Sequence, residues 1–151
     1  ANQRFNKNQL ERMFIYLNNE DRFDNNSLIA KLIKGNKNRI PSDWIKHIKY
    51  PNILSYFIDY GVDSIINVMS SEQLNEAFEY CIVSGSENII RCGVWNKLTY
   101  DNKLSDINHF SKYPNDRFIN ILKKILSIET NGELKKIIKK KLKHILDSDE
   151  Y

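Results

Sequence analysis

The chain has 151 residues, with 23 Lys and Arg against 19 Asp and Glu, and only 5 Gly and 3 Pro. With 41% hydrophobic and 28% charged residues it can bury a core of ordinary size, which excludes a disordered segment. It contains no run near the roughly 18 apolar residues that a membrane helix needs. Residues 1–9 also lack the apolar segment of a signal peptide. We therefore expect one soluble domain over residues 1–151, with no membrane span.

Hydrophobic residues recur with the 3.6-residue period of an α-helix along nearly the whole chain, and almost no stretch alternates with period two. The predicted fold class is all-α, with about nine or ten short helices packed as stacked helical hairpins. In chain order, the first predicted helices cover residues 8–18, 27–34, 42–49 and 52–60. Pro41 and Pro51 suit a first helical turn, and Gly35 and Gly61 suit helix ends. Asp63 can cap a further turn through residue 69.

The clearest helical signal runs from Ser70 to Gly85. Ser70 and Gln73 have the spacing of a capping box, and Gly85 is a natural left-handed stop. Five apolar residues fall on one face of this helix and are predicted to be buried, namely Leu74, Ala77, Phe78, Cys81 and Ile82.

The second half of the chain follows the same period. We predict a helix over residues 86–92, a loop over 93–97 and a helix that begins at Thr99 and ends before Pro114. Phe118 opens the apolar stripe of the next helix, and Asn131 with Gly132 separates it from the last one.

Two strings suggest an internal repeat. Residues 52–63 resemble the outer helix and Gly-x-Asp turn of an ankyrin repeat, and residues 80–90 resemble the inner helix end, its glycine and the next helix start. The resemblance covers 12 and 11 residues and lacks the Thr-Pro-Leu-His start of the inner helix. It implies a protein-binding scaffold without catalysis of its own. Apolar helices that end in glycine are common, so any other α-hairpin array is the alternative.

Residues that carry catalysis form no recognisable motif. There is no Gly-x-Ser-x-Gly turn and no phosphate-cradling glycine loop. Cys81 and Cys92 do not make a disulfide framework, and with His47, His109 and His144 they give no zinc spacing. We expect no catalytic residue, no metal ion and no cofactor, and the cysteine usage favours the reduced cytoplasm.

Each histidine has a carboxylate at helical spacing, in the pairs Asp43 with His47, Asp106 with His109, and Asp147 with His144. We interpret them as surface ion pairs. A ribonuclease site built from His47 or His109 with lysines is the alternative, because such sites assemble from distant residues.

Charge is segregated along the chain although the net charge is only +4. Residues 31–49 carry a net charge of +5, residues 59–90 carry −6, and residues 123–144 carry +6. The acidic block contains no Lys or Arg, and its members are Asp59, Asp63, Glu72, Glu76, Glu79 and Glu87. We interpret these six residues as an acidic docking strip for a basic protein partner. A solvated helix face is the alternative.

The last predicted helix is basic. Five lysines on its polar side are candidates for contact with nucleic acid or an anionic surface, namely Lys135, Lys136, Lys139, Lys140 and Lys143. An ordinary last helix, docked by its apolar face, is the alternative.

Three function classes follow. In size, acidic patch and abundance of residues with A/T-rich codons (21 Ile, 19 Asn and 17 Lys), the chain resembles the immunity proteins of contact-dependent and polymorphic toxin systems in general. That resemblance implies an antitoxin-like inhibitor that binds and neutralises a cognate toxin domain with a basic surface. An ankyrin-like viral or effector adaptor that binds a host protein is the first alternative. A nucleic-acid-associated protein that uses the lysine-rich last helix is the second.

Overall fold

The computed structural model of the chain describes residues 5–19, 23–84, 86, 88–112 and 114–148. Eleven helices and no strand lie within these ranges, which confirms the all-α prediction. The ten α-helices are α1 Lys7–Asn19, α2 Phe23–Gly35, α3 Pro51–Asp59, α4 Asp63–Ile66, α5 Ser71–Ser84, α6 Asn88–Arg91, α7 Val94–Lys97, α8 Tyr100–Phe110, α9 Asp116–Ile128 and α10 Gly132–Ser148. A 3₁₀ helix, Ser42–His47, lies between α2 and α3.

Capping signals placed several helix ends correctly. The amide N–H of Gln73 donates to Ser70 Oγ at 3.1 Å, and the amide N–H of Ser70 donates to Gln73 Oε1 at 2.9 Å, which confirms the capping box of α5. At the start of α8, Thr99 Oγ1 accepts a hydrogen bond from the amide N–H of Asn102. Gly61 takes a φ of 68°, the left-handed conformation that lets the chain turn away from α3. The predicted stop at Gly85 lies outside the described residues.

The loop predicted for residues 93–97 is wrong, because Val94–Lys97 forms the short helix α7. Gly93, at a φ of 71°, reverses the chain directly after α6. Val94 and Trp95 are then buried against the rest of the protein. Four residues are too few to show a helical stripe in sequence, so this helix depends on tertiary packing.

Pro41 precedes a 3₁₀ helix and not the predicted α-helix, and this changes a predicted ion pair. With three residues per turn, Asp43 lies over Lys46 and not over His47. Asp43 accordingly pairs with Lys46 at 3.9 Å, and His47 Nε2 contacts Glu11 Oε1 of α1 at 2.9 Å. The predicted pair of Asp43 with His47 is therefore wrong.

A single hydrophobic cluster extends from Leu10 in α1 to Ile145 in α10. The predicted apolar face of α5 lies inside it, since the five residues from Leu74 to Ile82 on that face are at most 3% exposed. Through this face α5 packs against α3, α7 and α9. The burial prediction is confirmed, and the opposite face of α5 is left to solvent.

A buried polar cluster joins α7, α8 and the end of α9. Glu129, only 5% exposed, accepts hydrogen bonds from Trp95 Nε1 at 3.1 Å and from Lys103 Nζ at 3.4 Å. The Lys103 ammonium also lies 5.3 Å from the centre of the Trp95 ring. The charge of Glu129 is thus paired where burial would otherwise be costly.

Candidate partner-binding surface

The acidic residues of α5 lie on its outer face. Glu72 and Glu79 are exposed and Glu76 is half-buried. They follow one another at helical spacing, so their carboxylates line one side of the helix. Their binding of a partner stays a prediction.

Two exposed apolar side chains extend this surface. Tyr80 is 48% exposed and Val83 is 61% exposed. Together with Glu79 they line a cavity that is completed by His109 and Phe110 of α8. We call Glu72, Glu76, Glu79, Tyr80 and Val83 the α5 surface. It offers negative charge and apolar contact side by side.

Sequence reasoning missed the apolar part of the α5 surface, although a signal was present. Glu76, Glu79, Tyr80 and Val83 stand at i, i+3, i+4 and i+7, which places them on one helical face. The longer apolar stripe of the same helix, from Leu74 to Ile82, makes this second stripe hard to recognise. The contribution of α8 could not be read from sequence, because it depends on how α8 packs beside α5.

Asp106 of α8 lies close to the α5 surface. Its side chain is buried, and its Oδ2 has no hydrogen-bond partner among the described residues. The pKa of Asp106 is raised to about 7. Burial is the larger cause, and the negative charge of Glu79 is the smaller one. The predicted surface pair of Asp106 with His109 is wrong, because Asp106 is buried while His109 is exposed. A cation arriving beside Glu79 would stabilise the ionised form of Asp106.

Asp59, also predicted to bind the partner, is engaged within the protein. The Cys81 thiol donates to Asp59 Oδ1 at 3.6 Å, and Ser86 forms a second hydrogen bond to its side chain. Burial raises the pKa of Asp59, while these hydrogen bonds oppose the rise. This carboxyl group connects α3 with α5 and with the chain that follows it.

Asp63 lies in a different electrostatic setting from the α5 carboxylates. It is exposed, but it lines a polar cavity together with Lys37 and Arg91. Both cations lie outside the acidic block of residues 59–90. The sequence of that block therefore gives no sign that Asp63 has cationic neighbours. Glu87, the last of the six predicted residues, lies outside the described residues.

The two thiols are poorly suited to nucleophilic attack. Burial is the main cause that raises the pKa of Cys81 far above its ordinary value, and the charge of Asp59 adds to it. Burial also raises the pKa of Cys92, helped by Asp63, although Arg91 and Lys97 oppose the shift. A thiol that stays protonated at neutral pH is a weak nucleophile. Across the described ranges, no three His, Cys, Asp or Glu side chains are grouped so that they could hold a metal ion.

The candidate lysines lie along α10. Lys135 is half-buried, and the exposed ones are Lys136, Lys139, Lys140 and Lys143. The apolar face of the same helix is buried in the core, with Leu134 and Ile138 fully inaccessible. α10 is therefore docked by its apolar face, and its lysines point away from the core.

No helix in the described part of the chain is long and apolar enough to cross a lipid bilayer. Comparisons with family models, with curated proteins and with solved structures found no match. The resemblances to ankyrin repeats and to toxin-immunity proteins stay predictions.

Proposed function

We propose that this chain is a non-catalytic protein-binding module, and that it acts as an immunity- or antitoxin-like protein that neutralises a cognate toxin with a basic surface. The α5 surface is the observation that carries the proposal. It exposes two carboxylates beside Tyr80 and Val83, on a helix whose other face is fixed in the core.

The chemistry of the α5 surface suits a partner that presents Lys or Arg next to apolar side chains. Carboxylates on one helix face attract a cationic partner over distance and speed association. Tyrosine supplies a large contact area at little cost in conformational entropy, and it is enriched among the residues that dominate binding energy. Charge would therefore guide the encounter, and Tyr80 with Val83 would stabilise the complex.

A cationic side chain bound beside Glu79 would also relieve two unfavourable features of the free protein. The like charges of Glu72, Glu76 and Glu79 repel one another by about a few tenths of a kcal/mol per pair. The negative charge of Glu79 also opposes ionisation of the buried Asp106 carboxyl group. Both features are tolerated in the free protein, and both favour binding of a cation.

We place this activity in the cytoplasm, where the thiols of Cys81 and Cys92, which form no disulfide, stay reduced.

The test is coexpression with the protein encoded by the adjacent upstream gene. We expect that protein to stop cell growth when it is produced alone and growth to recover when this chain is produced with it. The purified proteins should then form a stable complex in isothermal titration calorimetry. Growth arrest that persists despite coproduction, together with no heat of binding, would refute the inhibitor function for that pair.

The double variant Tyr80→Ala with Val83→Ala connects this function to the α5 surface. Both side chains are largely exposed, so we expect the free energy of unfolding to change little. Loss of two central apolar contacts should weaken the complex by about 2 kcal/mol or more. The matched control is Leu28→Ala, another exposed apolar residue, which lies on α2 and should leave binding unchanged.

A further inference from the structure

A groove runs between α8 and α10, away from the α5 surface. Two adjoining cavities of about 510 and 370 Å³ form it, and both are lined by Asn108, Lys141 and His144. Lys112, just after α8, extends the first cavity, and Lys140 extends the second. The groove therefore collects basic side chains from two different parts of the chain.

The charge of this groove is of one sign. Among the residues that the structure describes, no carboxylate lines either cavity. On α8, Asp101 lies in the first turn and Asp106 is buried near Glu79. On α10, the acidic residues Glu133 and Asp147 lie in the first and last turns. A concave site lined by cations without a compensating anion concentrates negative ligands.

The apolar side of α10 argues against a membrane as the ligand. A helix that binds a bilayer inserts its apolar face among the acyl chains. In this protein that face is occupied, because Leu134, Ile138 and Ile145 are buried in the core. The lysines are thus presented by a docked helix, and two of them, Lys140 and Lys141, line the groove.

We propose that the α8–α10 groove binds the phosphodiester backbone of a nucleic acid. Lys112 and Lys141 contact phosphates from opposite walls, and the exposed lysines of α10, Lys136, Lys139 and Lys143, continue the cationic surface beyond the groove. The Asn108 side-chain amide can donate a hydrogen bond to a phosphate or sugar oxygen. Because these side chains contact the sugar-phosphate backbone, which every sequence shares, binding is independent of base sequence.

Fluorescence anisotropy with labelled oligonucleotides of mixed sequence tests this proposal, with single-stranded and duplex probes as separate arms. We expect binding to at least one probe at about 50 mM salt and a steep loss of affinity as the salt concentration rises. The double variant Lys112→Gln with Lys141→Gln should bind at least about tenfold more weakly and lower the salt-dependence slope by about one to two.

The matched control is Lys31→Gln with Lys34→Gln on α2, where both lysines are exposed. It removes the same charge, so it measures the effect of net charge alone and should change affinity by less than about twofold.

Because Lys141 is half-buried, the single variant Lys112→Gln provides a second readout at an exposed position. We expect it to weaken binding by about threefold.

Three outcomes would overturn the proposal. The first is no binding of either probe at low salt, and the second is an equal loss of affinity in the groove variant and the α2 control. The third is binding of vesicles that contain anionic phospholipid without binding of either oligonucleotide. The proposal does not depend on a toxin partner, so each result is separable from the growth test.

Discussion

Asp106 and Glu129 are the two buried acidic residues of the described structure, and their surroundings are opposite. Glu129 accepts hydrogen bonds from Trp95 and Lys103, so its negative charge is paired. In the described structure, Oδ2 of Asp106 has no hydrogen-bond partner. The negative charge of Glu79 also acts on this carboxyl group. Burial without a cation favours the protonated carboxyl group, and this raises the pKa of Asp106 to about 7.

We expect Asp106→Asn to change the pH dependence of stability. The pKa of Asp106 is about 7 in the folded protein against 3.8 for an unperturbed aspartate. Between these values the folded state holds a proton that the unfolded state releases, so this residue lowers stability as pH rises from about 4 to about 7. Asparagine cannot ionise. The variant should therefore be more stable than the parent at pH 8 by about 1 to 2 kcal/mol, after allowance for solvent screening.

Urea unfolding of both proteins at pH 5 and pH 8 measures this difference. Parent and variant differ only at residue 106, so the comparison between them isolates Asp106. A difference in unfolding free energy that is the same at both pH values would contradict the assignment.

At the scale of a single element, the two faces of α5 lie in different surroundings, one in the core and one at the surface. Leu74, Phe78 and Ile82 fix the helix in the core, and the capping box of Ser70 and Gln73 fixes its start. The outer face contributes little to folding, because exposed charges add little to stability. Substitutions on the α5 surface should therefore leave the helix itself in place.

Reversal of Glu72, Glu76 and Glu79 to Lys should separate folding from binding. We expect the free energy of unfolding to stay within about 1 kcal/mol of the parent. Association with the partner identified by coexpression should slow by about tenfold or more at low salt, and its salt dependence should decrease. Stopped-flow or surface plasmon resonance measurements give both quantities.

A control with the same change in charge reverses Asp43, Glu133 and Asp147, which are exposed and lie on other elements. It should slow association much less than the α5 variant. If the α5 variant associates as fast as the parent, the carboxylates are only a solvated face and the interface lies elsewhere, first at the basic segment 31–49.

For the molecule as a whole, the two tryptophans of the core belong to separate aromatic groups, one in each half of the chain. Phe14 stacks on Trp44 with ring centres 4.9 Å apart and meets Phe57 edge-on. Phe78 and Trp95 lie 5.5 Å apart. The packing of α3 against α5 connects the two groups within one hydrophobic cluster.

One continuous core predicts one cooperative unfolding transition. Trp44→Phe leaves Trp95 as the only tryptophan, and Trp95→Phe leaves Trp44, so each variant reports on one half of the core. Within each variant, fluorescence and far-UV circular dichroism should give the same urea midpoint. A fluorescence transition that separates from the dichroism transition would show that the halves unfold independently.

Local features of the sequence determined the class of fold. The 3.6-residue period, the capping box at Ser70 and the apolar face around Phe78 are set by residues within a few positions of one another, so they could be recognised without the structure. Short helices such as Val94–Lys97 could not, because four residues carry no period and are stabilised by burial of Val94 and Trp95.

The roles of charged residues were decided by tertiary structure. In sequence, Asp59, Asp63 and Glu79 belong to one acidic block. In the fold, Asp59 is hydrogen-bonded inside, Asp63 lies near Lys37 and Arg91, and Glu79 remains on the surface. The α8–α10 groove likewise exists only because packing brings Lys112 close to Lys141. Helix formation depends on near neighbours in the chain, whereas burial and electrostatic pairing depend on residues that only the completed fold brings together.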